Sequence, residues 1–136
     1  MKNSNRLAAV IITALIFIAA NVAMAQKAGG AWNIPANYKT KKSTVKAGDP
    51  SINTVGKDLF AKHCKSCHGA KGLGDGPKSA TLKTIVPSFA TSKFKAQTDG
   101  EVYFQAIVGR DEMPNFEKKI TDDADKWAVI AYIKSL

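Results

Sequence analysis

Hydrophobic positions fall into two kinds of pattern, an unbroken run near the start of the chain and helical spacing across its second half. The run extends from Leu7 to Ala20 with only Thr13 interrupting it. Between 26 and 51 apolar residues are sparse, while Gly29, Gly30, Pro35, Pro50 and the basic group Lys39, Lys41, Lys42 and Lys46 set the character. That stretch reads as a basic, flexible arm on the surface, with Trp32, Ile34 and Tyr38 as the residues able to pin it to the domain or to a partner. Beyond it, Ile52, Val55, Leu59, Phe60 and His63 recur every three to four positions after Asp49 and Pro50. Asp49 suits the cap and Pro50 the first turn of a helix.

Two more helices follow from the same reading. Thr98-Asp99-Gly100-Glu101 has the form of a capping box, opening an apolar-rich helix that Gly109 stops after Val108. Thr121 with Asp122 and Asp123 starts a last helix to Leu136, its acids complementing the positive helix end. Gly69, Gly72, Gly74 and Gly76 make a loop in which backbone must turn tightly or approach something flat and bulky, and a helical turn is expected near 78–83. No strand alternation of useful length is present, so the expected fold is all-α, with three main helices.

The opening run changes the picture of where this domain works. Lys2 and Arg6 precede it, and Ala23-Met24-Ala25 follows as a small-x-small cleavage signal. The run is short for a bilayer span, so a cleaved export signal is the leading reading and an uncleaved anchor the lesser one. The expected organisation is a signal peptide at 1–25, the arm at 26–51 and one domain at 52–136. Losing Lys2 and Arg6 takes the formal net charge from +9 to +7. A basic surface steers encounters with acidic partners. Nucleic acid is not expected, because an exported protein seldom meets it and the lysines are scattered rather than lining one helix.

Both cysteines of the chain lie in Cys64-Lys65-Ser66-Cys67-His68, the C-x-x-C-H spacing that attaches a c-type haem. Two thiols three residues apart can reach the two vinyl groups on neighbouring edges of a porphyrin, and the next residue, His68, then lies beneath the iron. A thioredoxin-like redox pair would need a strand before Cys64, and none is indicated. A zinc site would need His63, Cys64, Cys67 and His68 to surround a tetrahedral ion from within one short segment. A structural disulfide is the remaining rival.

An iron held by one histidine keeps a sixth position open. Met1 and Met24 belong to the export signal, which leaves Met113 of the chain's 3 methionines. It stands between Asp111-Glu112 and Pro114-Asn115, in a loop far along the chain from His68. His63 is committed to the same stretch of chain as His68 and is expected to be a packed or half-exposed helix residue. Met113 is therefore the expected sixth ligand, and a thioether there raises the reduction potential relative to a second histidine.

With these residues in hand, the chain resembles the class I cytochromes c from about Ile52 to Leu136. The resemblance implies a cytochrome c fold around one covalently bound haem c with its iron. It also implies that the haem-bearing helix crosses the last helix, with Gly56 and Phe60 meeting Trp127, Ala128, Ala131 and Tyr132. Pro77 resembles the family proline whose carbonyl accepts a hydrogen bond from the proximal histidine ring. In Gly109-Arg110-Asp111-Glu112-Met113-Pro114, Arg110 resembles an arginine that approaches a haem propionate. The function implied is exported, periplasmic one-electron transfer, with no enzymatic reaction and with redox proteins bearing acidic docking surfaces as partners. Lys62, Lys65, Lys71, Lys118 and Lys119 are the expected docking rim. No stable membrane span is expected once the signal is cleaved. The alternatives are a relay subunit of a larger respiratory or dehydrogenase complex and, more remotely, a haem enzyme or gas sensor with a labile sixth ligand.

Overall fold

The computed structural model describes residues 29–136. The expected export signal at 1–25 lies outside the described residues. Among the described residues six α-helical segments occur in chain order: α1, Ala36–Lys39; α2, Lys57–His63; α3, Lys65–His68; α4, Ser92–Lys95; α5, Asp99–Tyr103; and α6, Asp123–Ser135. Among the described residues the only β pairing is an isolated bridge between Arg110 and Met113. The family of long helices expected from spacing is present, entered or left through wider turns. Ile52–Gly56 is a π-helical turn leading into α2, and Phe104–Val108 is another that continues α5. Hydrophobic spacing cannot distinguish such turns from α-helix, because both keep one face apolar.

Helix ends follow their side-chain chemistry. The Asp49 carboxylate accepts from the Ser51 amide at 2.9 Å, as expected of a capping residue. Thr98 and Glu101 form both halves of the capping box that starts α5. At α6 the cap is Asp122, whose side chain accepts from the Asp125 amide at 3.0 Å, one residue later than the expected Thr121. The expected turn near 78–83 is a 3₁₀ turn at Ser79–Thr81.

The core forms where α2, α5 and α6 meet. Phe60, Val102, Ile107, Trp127, Val129, Ile130 and Ile133 are all buried there. The crossing of the segment containing Gly56 with α6 is so close that a β-carbon on Gly56 would collide with the Ala128 carbonyl. Phe60 fills the adjoining space against Tyr132, ring centroids 5.4 Å apart. Helices approach this closely only where one of them lacks a side chain at the contact.

The stretch expected to be a flexible surface arm is packed against the domain from residue 29 onward. Ile34 is buried, and the Tyr38 ring lies 4.8 Å from that of Phe104. Thr98 donates through its hydroxyl to the Lys39 carbonyl at 3.2 Å, and the backbone of Tyr38 sits where a Gly100 side chain would otherwise be. Three apolar residues among many polar ones were enough to seat the segment, because α5 offers a matching aromatic face.

Candidate haem-binding site

The two cysteines belong to the α3 turn, Cys64 as its N-cap and Cys67 as its third residue. Both are free thiols, Cys64 buried and Cys67 half-buried. Burial pushes the Cys64 thiol up to about 12, with the neighbouring Cys67 adding to the effect, so it stays protonated at neutral pH. The expected rivals lose their footing in this geometry. Among the described residues there is no strand ahead of Cys64, and no three His, Cys, Asp or Glu side chains gather where they could hold a metal ion.

His68 closes α3 and is buried, with 9% of its surface exposed. Desolvation holds its imidazole down to about 4, so the ring is neutral at pH 7, the form that donates a lone pair to a metal. The ring stacks on Phe89, centroids 4.7 Å apart and planes 24° from parallel. Its Nδ1 is buried with no hydrogen-bond partner. The bond expected from this ring to the Pro77 carbonyl is therefore not formed here. Pro77 itself is exposed, at the end of the glycine loop.

That loop serves the end of α3. The amides of Gly74 and Gly76 donate to the carbonyls of His68 and Cys67 at 2.9 and 3.1 Å, and Lys78 donates to Ser66 at 2.9 Å. Orphan carbonyls at the helix end are thus satisfied by chain folding back over them. Gly76 lies so near Ser66 and Cys67 that any side chain would collide with their backbone, and at Gly72 it would meet the Phe89 ring. The flat, bulky neighbour that the glycines anticipated is, in part, Phe89.

Met113 lies on the turn after α5. The Arg110 and Met113 backbones exchange hydrogen bonds at 2.9 and 2.8 Å, with Asp111 at a positive φ of 49° between them. The Met113 side chain is half-buried and packs against the same apolar cluster that contains Cys64 and Phe89. Glu112 fastens the turn to another segment, its carboxylate accepting from the amides of Lys83 and Thr84 at 2.9 and 2.8 Å. His63 is half-buried near Phe116, ring centroids 5.5 Å apart, as its helix position suggested.

Arg110 has other company than the propionate expected of it. Its guanidinium donates to the carbonyls of Ala31, at 2.6 Å, and Gly30, and lies 4.0 Å from the Trp32 ring centroid. Spacing could not foresee this, because the arm returns to the Met113 turn from nearly eighty residues away. Phe89 and Glu112 were also missed. Phe89 lies in a stretch without periodic signal, between Pro87-Ser88 and Ala90-Thr91, and an acidic loop residue reads as solvated.

The sequence profile described as Cytochrome c matches residues 54–136. This chain belongs to the cytochrome c family. The family brings covalently bound haem c, with its iron, as the cofactor. The residues fit that group: two unpaired thiols sit at the N-cap and third position of a short helix, and a neutral imidazole with an unsatisfied buried nitrogen ends it. The cytochrome bc1 complex cytochrome c subunit of Corynebacterium diphtheriae is 30% identical over 87 residues, covering 64% of this chain and 28% of that protein. The corresponding subunit of Corynebacterium efficiens is 29% identical over 87 residues, covering 64% and 27%. The chain thus spans under a third of the length of the curated relatives it matches. No helix among the described residues is long and apolar enough to cross a membrane.

Proposed function

We propose that this cytochrome is an exported one-electron carrier whose haem is tethered by Cys64 and Cys67 and ligated through iron by His68 and Met113. The observation that carries the proposal is the buried, neutral His68 ring ending a short helix that carries two free thiols, at its N-cap and third position. The haem supplies a one-electron couple at its iron. The chain's residues do the rest. Cys64 and Cys67 fix the group laterally, and the glycine loop holds the end of α3, so that His68 keeps its place. Met113, on a turn braced by Glu112, would supply a thioether to the iron and so limit the access of small molecules. No side chain is asked to move a proton or make a bond to a substrate, which supports a carrier over an enzyme.

Lys62, Lys65, Lys71, Lys118 and Lys119 are all exposed, supporting a basic docking rim for acidic redox proteins. Transfer rates that stay constant as ionic strength rises would remove that role. The amino-terminal run supports a periplasmic location. The likeness to bc1 complex subunits favours a second reading, an electron relay held within such a complex. Gentle extraction from native membranes separates the two: a free carrier elutes alone, and a relay subunit elutes with its complex.

The protein matured with haem should be red, show low-spin spectra in both redox states and titrate as a single one-electron couple. Met113→Ala should open the sixth position, giving fast carbon monoxide binding to the reduced form. A parent protein that binds carbon monoxide as fast as this variant would end the assignment of Met113.

A further inference from the structure

The turn bearing Met113 is held on three sides. Towards the core, the Met113 side chain packs on the apolar cluster, and the Phe116 amide donates to the Ile107 carbonyl at 2.8 Å. On a second side Glu112 binds the amides of Lys83 and Thr84. The third side is the arm. Arg110 gives both terminal nitrogens of its guanidinium to the Gly30 and Ala31 carbonyls and lays its plane over Trp32. Trp32 in turn meets Phe104 edge-on, with centroids 6.3 Å apart and planes at 86°. A continuous chain of contacts therefore runs from Phe104 through Trp32 and Arg110 to Met113.

The last link is stiff. Arg110 and Met113 exchange two backbone hydrogen bonds, and the turn is too tight to absorb a shift of one end. Gly109, at φ 71°, lies against the carbonyls of Met113 and Pro114 with no room for a side chain. Moving Arg110 therefore moves Met113.

We infer that Trp32 is a positioning residue for Met113, acting through Arg110 to hold the methionine turn over the haem. This rests on the reading of Met113 as the sixth iron ligand. A planar guanidinium stacked on indole and paired to two carbonyls has one preferred placement, which a flexible ammonium would not reproduce. Without the indole face, Arg110 retains a long contact to the Asp111 carboxylate at 3.8 Å and bonds to an arm that has lost its nearest aromatic anchor. The methionine then leaves iron more often, and the fraction of protein open to an external ligand rises. Apparent affinity for that ligand rises in proportion.

The test uses the full haem-loaded protein in its ferric state, titrated with imidazole, alongside the charge-transfer band of methionine-bound ferric iron. Trp32→Ala should bind imidazole about tenfold more tightly than the parent, equivalent to about 1.4 kcal/mol, and should weaken the band. Trp32→Phe, which keeps a ring against Phe104, should fall between the two. Helical circular dichroism checks that each variant is folded. Should the alanine variant fail to fold, the phenylalanine variant decides, since parent-like imidazole binding there overturns the inference. Parent-like binding and an unchanged band in folded Trp32→Ala overturn it equally. A parent protein lacking the band, and titrating like Met113→Ala, overturns it by removing the ligand assignment on which it stands.

Discussion

Gly56 lies against the backbone of Ala128, where a single β-carbon would run into the Ala128 carbonyl and crowd Tyr132. The contact joins the helix leading to Cys64 and Cys67 to the last helix of the chain. It sets the position of α3 through α2, and hence the site as a whole.

Two effects compete when this glycine is replaced. Alanine in a helix is favoured over glycine by about 1 kcal/mol, whereas overpacking a tight contact costs about 1–3 kcal/mol. The obstacle is backbone, which cannot swing aside, so the cost should win. Gly56→Val is expected to lower stability by at least ~2 kcal/mol, read as a lower midpoint in guanidinium unfolding of the haem-loaded protein. A midpoint equal to the parent's would mean that the crossing is looser than described.

The two thiols make a second prediction. Because Cys64 and Cys67 are separate thiols that are not joined to each other, either alone can still tether haem. Cys64→Ala and Cys67→Ala should each keep haem on the chain through a denaturing gel, and the double variant should lose it. Haem-associated peroxidase staining reads the result. Retention by the double variant would show that attachment does not run through these sulfurs.

Alkaline stability provides a third. The Tyr103 hydroxyl donates to Asp123 at 3.4 Å, and the phenol is pushed up from 10.0 to about 12, by burial first and by the Asp123 charge second. A group whose folded pKa is raised contributes stability that is complete below the unfolded value and is lost as pH rises through the folded one. Between pH 10 and about 12 the parent should therefore lose stability that Tyr103→Phe does not lose. Unfolding midpoints for both proteins, measured from pH 8 upward, should converge or cross in that window. Parallel curves would assign the alkaline loss to other groups, the lysines foremost.

Local signals carried much of this structure. The capping box at Thr98 and Glu101 and the stop at Gly109 were legible, because each depends on residues near in sequence, whereas the crossing at Gly56 and Phe60 followed from the family resemblance. The C-x-x-C-H spacing was visible for the same local reason, with its candidate donors set at fixed separations along one short segment. The Met113 turn was legible only as a loop. Its clamp by Glu112 reaches 29 residues back along the chain, and polar residues in loops leave no periodic trace of their partners.

What the sequence by itself determined is the chemistry: two thiols, an imidazole and one thioether in an all-α chain, since ligand type and helix periodicity are local properties. What only the tertiary structure decided is how that chemistry is held. The arm folds onto α5, Trp32 lies beneath the Arg110 guanidinium, and Phe89 lies on His68. Each of these joins segments far apart in the chain. Such contacts form because burying aromatic surface outweighs the entropy of closing long loops, a cost that grows only slowly with length, so sequence distance gives no sign of which partners will meet.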